Sequence, residues 1–595
     1  MKAHRRLRVR SIFSSFPTHV LLEKCIVLGA LFAIALSCSF HVLHYWFLYD
    51  DPAAIVYSTK SLNDIFFSND AYVYGFYAPL LALIFKPDVL FFGIQPLPYR
   101  IHNLMILVSI AFVVYQILRQ YTDKFSSAVS AMIVLCATPS FICVIWITLR
   151  QYLYPMLFSL IAIYLYIKYT PDPKRDTYVF LTILVLSELS FMGKEQFMTL
   201  PFVLLVLSKE NFKNRCLKTY PYFLLLALHF LLRWYVLGSM GGYLGVTYNP
   251  LVYLKTVFTS IFTTSEILFG SQWLVAVLLL PFLLQPDKCM RLVLLWVATL
   301  AVSFLGMSVY PSADTYRYWF IAAVLFSFMM GFGSAVIKNP LLRGLYILAA
   351  VIPFFIHSSK INEEITVLFQ RESSIAYKTS QSMLDERYRN AVMMFPDSPY
   401  THSGYIYSMQ NAYQRVLGVE ALPTFYPFEL LAFYPDILQD FDGVYEITPH
   451  EIIDITQSIK KRSDLFLAAL TDQKPEFGLL QSGEELAVSL KCRSGRSVTS
   501  FIIEQEQFAD KQRVSRNVLP YLERLNLSNT IKKSGNARLV PIEEISYKKK
   551  TWYFGRERIP DATLLITNLC SDLSGNNTRL SDVLYIPLAK RFHIS

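Results

Sequence analysis

Lys2, Arg5, Arg6, Arg8 and Arg10 open the chain. An apolar run, CIVLGALFAIALSCSFHVLHYWF, follows from Cys25 to Phe47 and gives way to Tyr49-Asp50-Asp51-Pro52. The run is too long for a signal-peptide core and has no small-residue cleavage site, so it reads as a retained signal anchor. Further runs of spanning or near-spanning length lie at about 101–121, 125–146, 149–170, 177–193, 196–208, 219–237, 270–286, 290–309, 317–337 and 341–357. The expected fold is an α-helical polytopic membrane protein with about eleven transmembrane helices.

Composition agrees. Of 595 residues, 54% are hydrophobic and only 17% charged, against about a quarter charged in a soluble domain. Mean hydropathy is +0.38. The net charge of +11 is unevenly placed: residues 361–595 hold 27 basic and 29 acidic side chains, whereas the first 360 hold 28 and 15. A positive excess confined to the hydrophobic part fits membrane lipids and argues against nucleic acid as a partner. Eight Cys without a CxxC or a His/Cys cluster exclude a zinc ribbon or a disulfide scaffold. There is no Walker A, GxGxxG or GxSxG motif to suggest ATP, dinucleotide or α/β-hydrolase chemistry.

With the N-terminus in the cytoplasm, 19 of the 28 basic residues before 361 fall inside. An odd number of spans then puts residues 361–595 outside. The chain thus divides into a transmembrane domain, 1–360, and an extracytoplasmic α+β domain, 361–595. In the second, a helix is expected near 363–393 and others at His450–Ile459 and Val518–Leu525. Strands are expected at Leu486–Lys491, Val498–Glu504, Thr551–Phe554 and Val583–Ile586. Cys492 and Cys570 share this domain and could pair in an oxidising compartment. The short loops favour a bacterial inner membrane, with the C-terminal domain periplasmic.

The chemistry-bearing residues cluster on the expected outer face. Asp50 and Asp51 are adjacent carboxylates beside a membrane, where charge is costly unless solvated or used; either could act as general base for a hydroxyl acceptor. Asp-Pro also commonly opens a turn. Arg150, Lys194 (followed by Glu195), Arg233 and Arg317 are cations on the side that disfavours them. A phosphate on the outer face would give them a purpose; snorkelling to headgroups is the plainer alternative for any one. Asp440-Phe441-Asp442 has a metal-gripping spacing but reads as surface, and His41 and His44 read as polar tips in an aromatic belt.

Taken in order, these stretches resemble the GT-C membrane glycosyltransferases that use polyprenyl-phosphate sugars, closest to the protein O-mannosyltransferase-like branch. The resemblance rests on Tyr49-Asp50-Asp51-Pro52, Tyr77-Ala78-Pro79-Leu80, Tyr99-Arg100-Ile101-His102-Asn103-Leu104, Pro139 with Trp146-Ile147 and Arg150, Leu189-Ser190-Phe191-Met192-Gly193-Lys194-Glu195 with Leu200-Pro201, and Tyr316-Arg317-Tyr318. It covers roughly residues 25–340. Its departures are Asp-Asp where many relatives have Asp-Glu, a shifted His-Asn pattern and no tetratricopeptide repeats.

The resemblance implies an inverting transfer of a sugar from a polyprenyl-phosphate donor to a hydroxyl acceptor (glycan, lipid or protein) on the outer face. It implies Asp50 as base and Asp51 as a second catalytic carboxylate that supports it or orients the donor. Arg150, Lys194 and Arg317 would hold the donor phosphate, with His102, Asn103, Glu195 and Arg233 in support. No metal or other cofactor is expected, because the donor has a single phosphate link. The competing class is a transporter or flippase of a lipid-linked or anionic substrate. Against it stand the absence of an internal repeat and the placement of the charges at span ends.

Overall fold

The computed structural model describes residues 18–68, 77–169, 176–207, 211–238 and 315–394, most of 396–459, a few positions between 262 and 281, and the backbone of strands between 476 and 587. Contacts divide the chain into two compact units. One comprises Met1–Gly242, Val246–Tyr377 and Tyr407–Gly418; the other comprises Tyr243–Gly245, Lys378–Ile406 and Val419–Ser595.

The first unit is helical. Its principal helices are α1 (Thr18–Ser39), α2 (Asp51–Ser58), α3 (Leu62–Phe67), α4 (Pro79–Phe92), α5 (Pro96–Leu118), α6 (Lys124–Cys136), α7 (Thr138–Ile145), α8 (Arg150–Tyr169), α9 (Thr177–Phe191), α10 (Leu200–Leu207), α11 (Phe212–Leu237), α12 (Phe320–Val336) and α13 (Pro340–Leu384). Among the described residues six helices are long and apolar enough to cross a membrane: Leu21–Val42, Pro96–Leu118, Ile147–Tyr169, Phe212–Leu237, Tyr316–Val336 and Pro340–Leu384. The pair α6–α7, bent by 50°, makes a seventh if it is one span. The protein is a multi-pass membrane protein. The expected runs at 177–193 and 196–208 are shorter apolar helices, Thr177–Phe191 and Glu195–Leu207. Those at 270–286 and 290–309 lie almost wholly outside the described residues.

Local chemistry sets the ends that matter. Asp123 caps α6 by accepting from Ser126 N–H at 2.9 Å. Ala137, with ψ at 135°, interrupts the helix, and Pro139 restarts it as α7. Serines let α8 and α9 approach closely: Ser159 and Ser190 oxygens are 2.5 Å apart. A Cβ at Gly193 would overlap the Pro155 ring, so only glycine fits the turn before Lys194.

The helix α13 runs unbroken past Lys360 to Leu384, so the last apolar run and the helix expected near 363 form one rod. In the second unit, Val392–Met394 pairs in parallel with Thr424–Tyr426 and with Val444–Ile447. Val444–Ile447 in turn pairs antiparallel with Ile452–Asp454. That pairing corrects the helix expected at His450–Ile459: Ile452 and Ile453 go to the edge of a sheet because a partner strand is available, and only the last residues turn helical. The strands at Glu485–Lys491, Arg496–Phe501, Thr551–Phe554 and Leu584–Pro587 match the expected runs to within a few residues. Val518–Leu525, Asp440 and Cys492 lie outside the described residues.

Candidate active site

After α1 the chain makes one 3-10 turn, Phe40–Val42, and leaves the helix. Arg100, fully buried on α5, fastens this elbow by donating to the carbonyls of Val42 at 3.2 Å and Trp46 at 2.7 Å. Tyr49 has φ +49°, the left-handed region; among the described residues it is alone in this apart from glycines. The next residues are Asp50, which precedes the first turn of α2, and Asp51, with Pro52 fixing the helix start.

The two carboxylates have different environments. Asp51 is fully buried. Its Oδ2 accepts from Leu48 N–H at 2.9 Å and its Oδ1 from Thr148 N–H at 2.8 Å. It therefore clamps the elbow to the turn Ile147–Leu149, and both oxygens are used in doing so. Asp50 is half-buried. Its Oδ1 accepts from Trp146 Nε1–H and from Thr148 Oγ1–H, each at 2.6 Å. Among the described residues nothing donates to its Oδ2, which is the oxygen available for chemistry. Burial pushes the Asp51 carboxyl up to about 7, opposed by Arg100 and seconded by the charge of Asp50.

Two cations act on Asp50. Arg317, in the 3-10 turn Tyr316–Trp319, lies over the Trp146 ring at 4.3 Å, and its Nη2 donates to Tyr318 OH at 3.2 Å. Its Nη1 is buried with no hydrogen-bond partner among the described residues. Lys194 lies over the Tyr152 ring at 5.9 Å and acts electrostatically on Asp50, Arg317 and Glu195. Glu195 is itself engaged by Arg233 at 2.7 Å. One open carboxylate and two cations leave the spot net positive.

Arg150, expected at the phosphate, is fully buried. Its Nη1 pairs with Asp88 at 2.6 Å, its Nε donates to Asn103 Oδ1 at 2.6 Å and its Nη2 to Tyr99 O at 2.8 Å. Asn103 also donates to the carbonyls of Cys143 and Ile147. His102 bridges Asp88 at 2.9 Å and Tyr154 OH at 2.6 Å. Arg150, Asn103 and His102 thus form a scaffold behind the turn that carries Thr148, and they face one another. Asp88 and Thr148 are not among the candidates the sequence offers, and Trp146 enters there only within the stretch that leads to Arg150. The signal for Asp88 was a lone carboxylate in the apolar stretch Leu80–Phe92.

His41 bonds Thr366 Oγ1 at 3.0 Å, and among the described residues no group of three His, Cys, Asp or Glu could hold a metal ion.

An apolar cavity of about 110 Å³ begins one helical turn beyond Arg317. It is lined along one face of α12 by Ile321, Val324, Leu325, Phe328, Met329 and Phe332, and opposite by Met156, Leu160 and Ile163 of α8. From Ile321 to Phe332 the wall is about 16 Å long, roughly half the hydrocarbon thickness of a bilayer. Gln196, Phe197 and Thr199, just after Lys194, also line it.

No family model and no curated protein matches the chain. Among solved structures it is similar to the oligosaccharyltransferase AglB from Archaeoglobus fulgidus in complex with an inhibitory peptide and a dolichol-phosphate, at 11% identity and TM-score 0.43, covering 96% of this chain and 93% of that one. It is also similar to ArnT from Cupriavidus metallidurans bound to undecaprenyl phosphate, at 10% identity and TM-score 0.38, covering 72% of this chain and 93% of that one.

Proposed function

We propose that the protein is an inverting membrane glycosyltransferase that takes a sugar from a polyprenyl-phosphate donor and gives it to a hydroxyl acceptor. The observation that carries this reading is the grouping of Asp50 with Arg317 and Lys194, with an apolar cavity that begins one turn beyond Arg317. That arrangement suits an amphiphile with an anionic head and a long apolar tail, held next to a base.

In the reaction, Asp50 Oδ2 takes the acceptor's proton as its oxygen bonds to the anomeric carbon. The bond from that carbon to the phosphate oxygen breaks on the opposite face, and the sugar inverts. The departing phosphate gains charge beside Arg317 and Lys194, where fixed cations contribute most. Two cations serve a monophosphate without a divalent ion. The site lies on the outer face of a bacterial inner membrane, with the N-terminus cytoplasmic and residues 361–595 periplasmic.

Arg317→Ala and Lys194→Ala should each weaken polyprenyl-phosphate binding by about tenfold or more, the worth of a hydrogen bond to a charged group. Titration of the lipid into purified protein measures it. Unchanged affinity in both variants would remove the phosphate from this spot.

Asp51 predicts a pH dependence. Its folded value, about 7, lies above its ordinary 3.8, so the fold holds this proton more tightly than the unfolded chain does. Acidification between those two values therefore adds stability through this group. It removes activity over the same window, because a protonated oxygen no longer accepts well from its backbone N–H. Transfer should fall about tenfold per unit below pH 7, while the melting temperature rises relative to Asp51→Asn. Parallel loss of stability and activity would contradict the raised value at Asp51.

A further inference from the structure

Trp146 is the side chain on which the base and the cation meet. It is 2% exposed and sits where α7 gives way to the turn Ile147–Leu149. Its indole N–H donates to Asp50 Oδ1 at 2.6 Å. Its ring carries the Arg317 guanidinium at 4.3 Å. Tyr49 meets it edge-on, ring centroids 5.1 Å apart at 75°. Tyr49 is also the residue held at φ +49°, and such a backbone persists only where its surroundings over-determine it. One ring therefore touches the strained residue before the base, the base itself, and the cation facing it.

We propose that Trp146 is a positioning residue that couples donor binding to base orientation, so that a phosphate seated at Arg317 meets an Asp50 already aimed by the same side chain. This rests on the donor reading above. Indole suits both tasks: its face is the best aromatic seat for a guanidinium, and its N–H is a fixed donor with no accepting alternative. Phenylalanine keeps a ring for Arg317 but has no N–H for Asp50. Alanine keeps neither.

The two functions can be separated experimentally. Trp146→Phe should bind polyprenyl phosphate within about twofold of wild type. Its single-turnover transfer rate should fall about ten- to a hundredfold, the loss of one hydrogen bond to a charged group. Trp146→Ala should lose lipid affinity as well as rate. Thr148→Val, which removes the other donor to the same oxygen, should reproduce the rate loss with affinity kept. Trp146→Tyr is the second ring-keeping variant should the Phe protein fail to fold, with the same expected split. A ring-keeping variant that transfers at the wild-type rate overturns the coupling. So does one that loses affinity and rate in equal proportion, as a loosened fold would. If wild-type protein transfers no sugar from the donor lipid, the donor reading falls and this coupling with it. Wild-type transfer with an unimpaired ring-keeping variant sinks the coupling alone.

Discussion

Asp50→Asn should lower sugar transfer by about 10²–10⁴-fold, the usual cost of losing a well-placed general base. Asparagine keeps the size of the side chain. Its amide oxygen can still accept from Trp146 and Thr148, so the elbow after α1 should hold. What it cannot do is take the acceptor's proton at the position of Oδ2. The expected pattern is unchanged polyprenyl-phosphate affinity, an unchanged melting temperature and a collapsed single-turnover rate. A near wild-type rate would remove Asp50 as the base and turn attention to a transport role.

The second large effect concerns Arg150, and it is on stability. Arg150→Ala leaves Asp88 buried with only His102 beside it and strips Asn103 and the Tyr99 carbonyl of a donor. Breaking a buried ion pair from one side typically costs about 3–5 kcal/mol. The variant should therefore melt much earlier in detergent. Arg150→Met combined with Asp88→Asn should recover part of the loss, since neither charge is then stranded. Were Arg150 instead a phosphate ligand, the alanine variant would melt normally and lose only lipid affinity.

How much of this was legible in the sequence depended on the kind of signal. Charges set in apolar surroundings stand out, so Asp50, Lys194 and Arg317 are legible as candidates, and the structure brings the three within electrostatic reach of one another. The split between Asp50 and Asp51 was not legible. Two adjacent carboxylates look alike until the fold brings Leu48 N–H and Thr148 N–H to one of them. Arg150 reads as a phosphate ligand for the same reason: its partner Asp88 lies on another helix, and no spacing rule joins residues 88 and 150. Trp146 was visible only as part of a turn, because its value comes from the N–H direction and from Arg317 arriving far along the chain. In the fold, hydropathy marked the apolar part of α13 and stopped at 357, while the helix itself continues on polar residues to Leu384. Alternation found the strand at Thr551–Phe554, but the strand at Ile452–Asp454 is short and exists through its partner.

Under the proposed function, this cavity holds a lipid whose sugar is cut from its phosphate with Asp50 as the base. The most direct measurement is a single-turnover reaction in nanodiscs with a polyprenyl-phosphate sugar labelled in both the sugar and the lipid, comparing wild type with Asp50→Asn. Wild-type protein should release free polyprenyl phosphate as labelled sugar appears on a hydroxyl acceptor with inverted configuration, and Asp50→Asn should bind the same lipid and release neither. Movement of the intact labelled lipid across the membrane by both proteins, with the sugar still attached, would contradict the account.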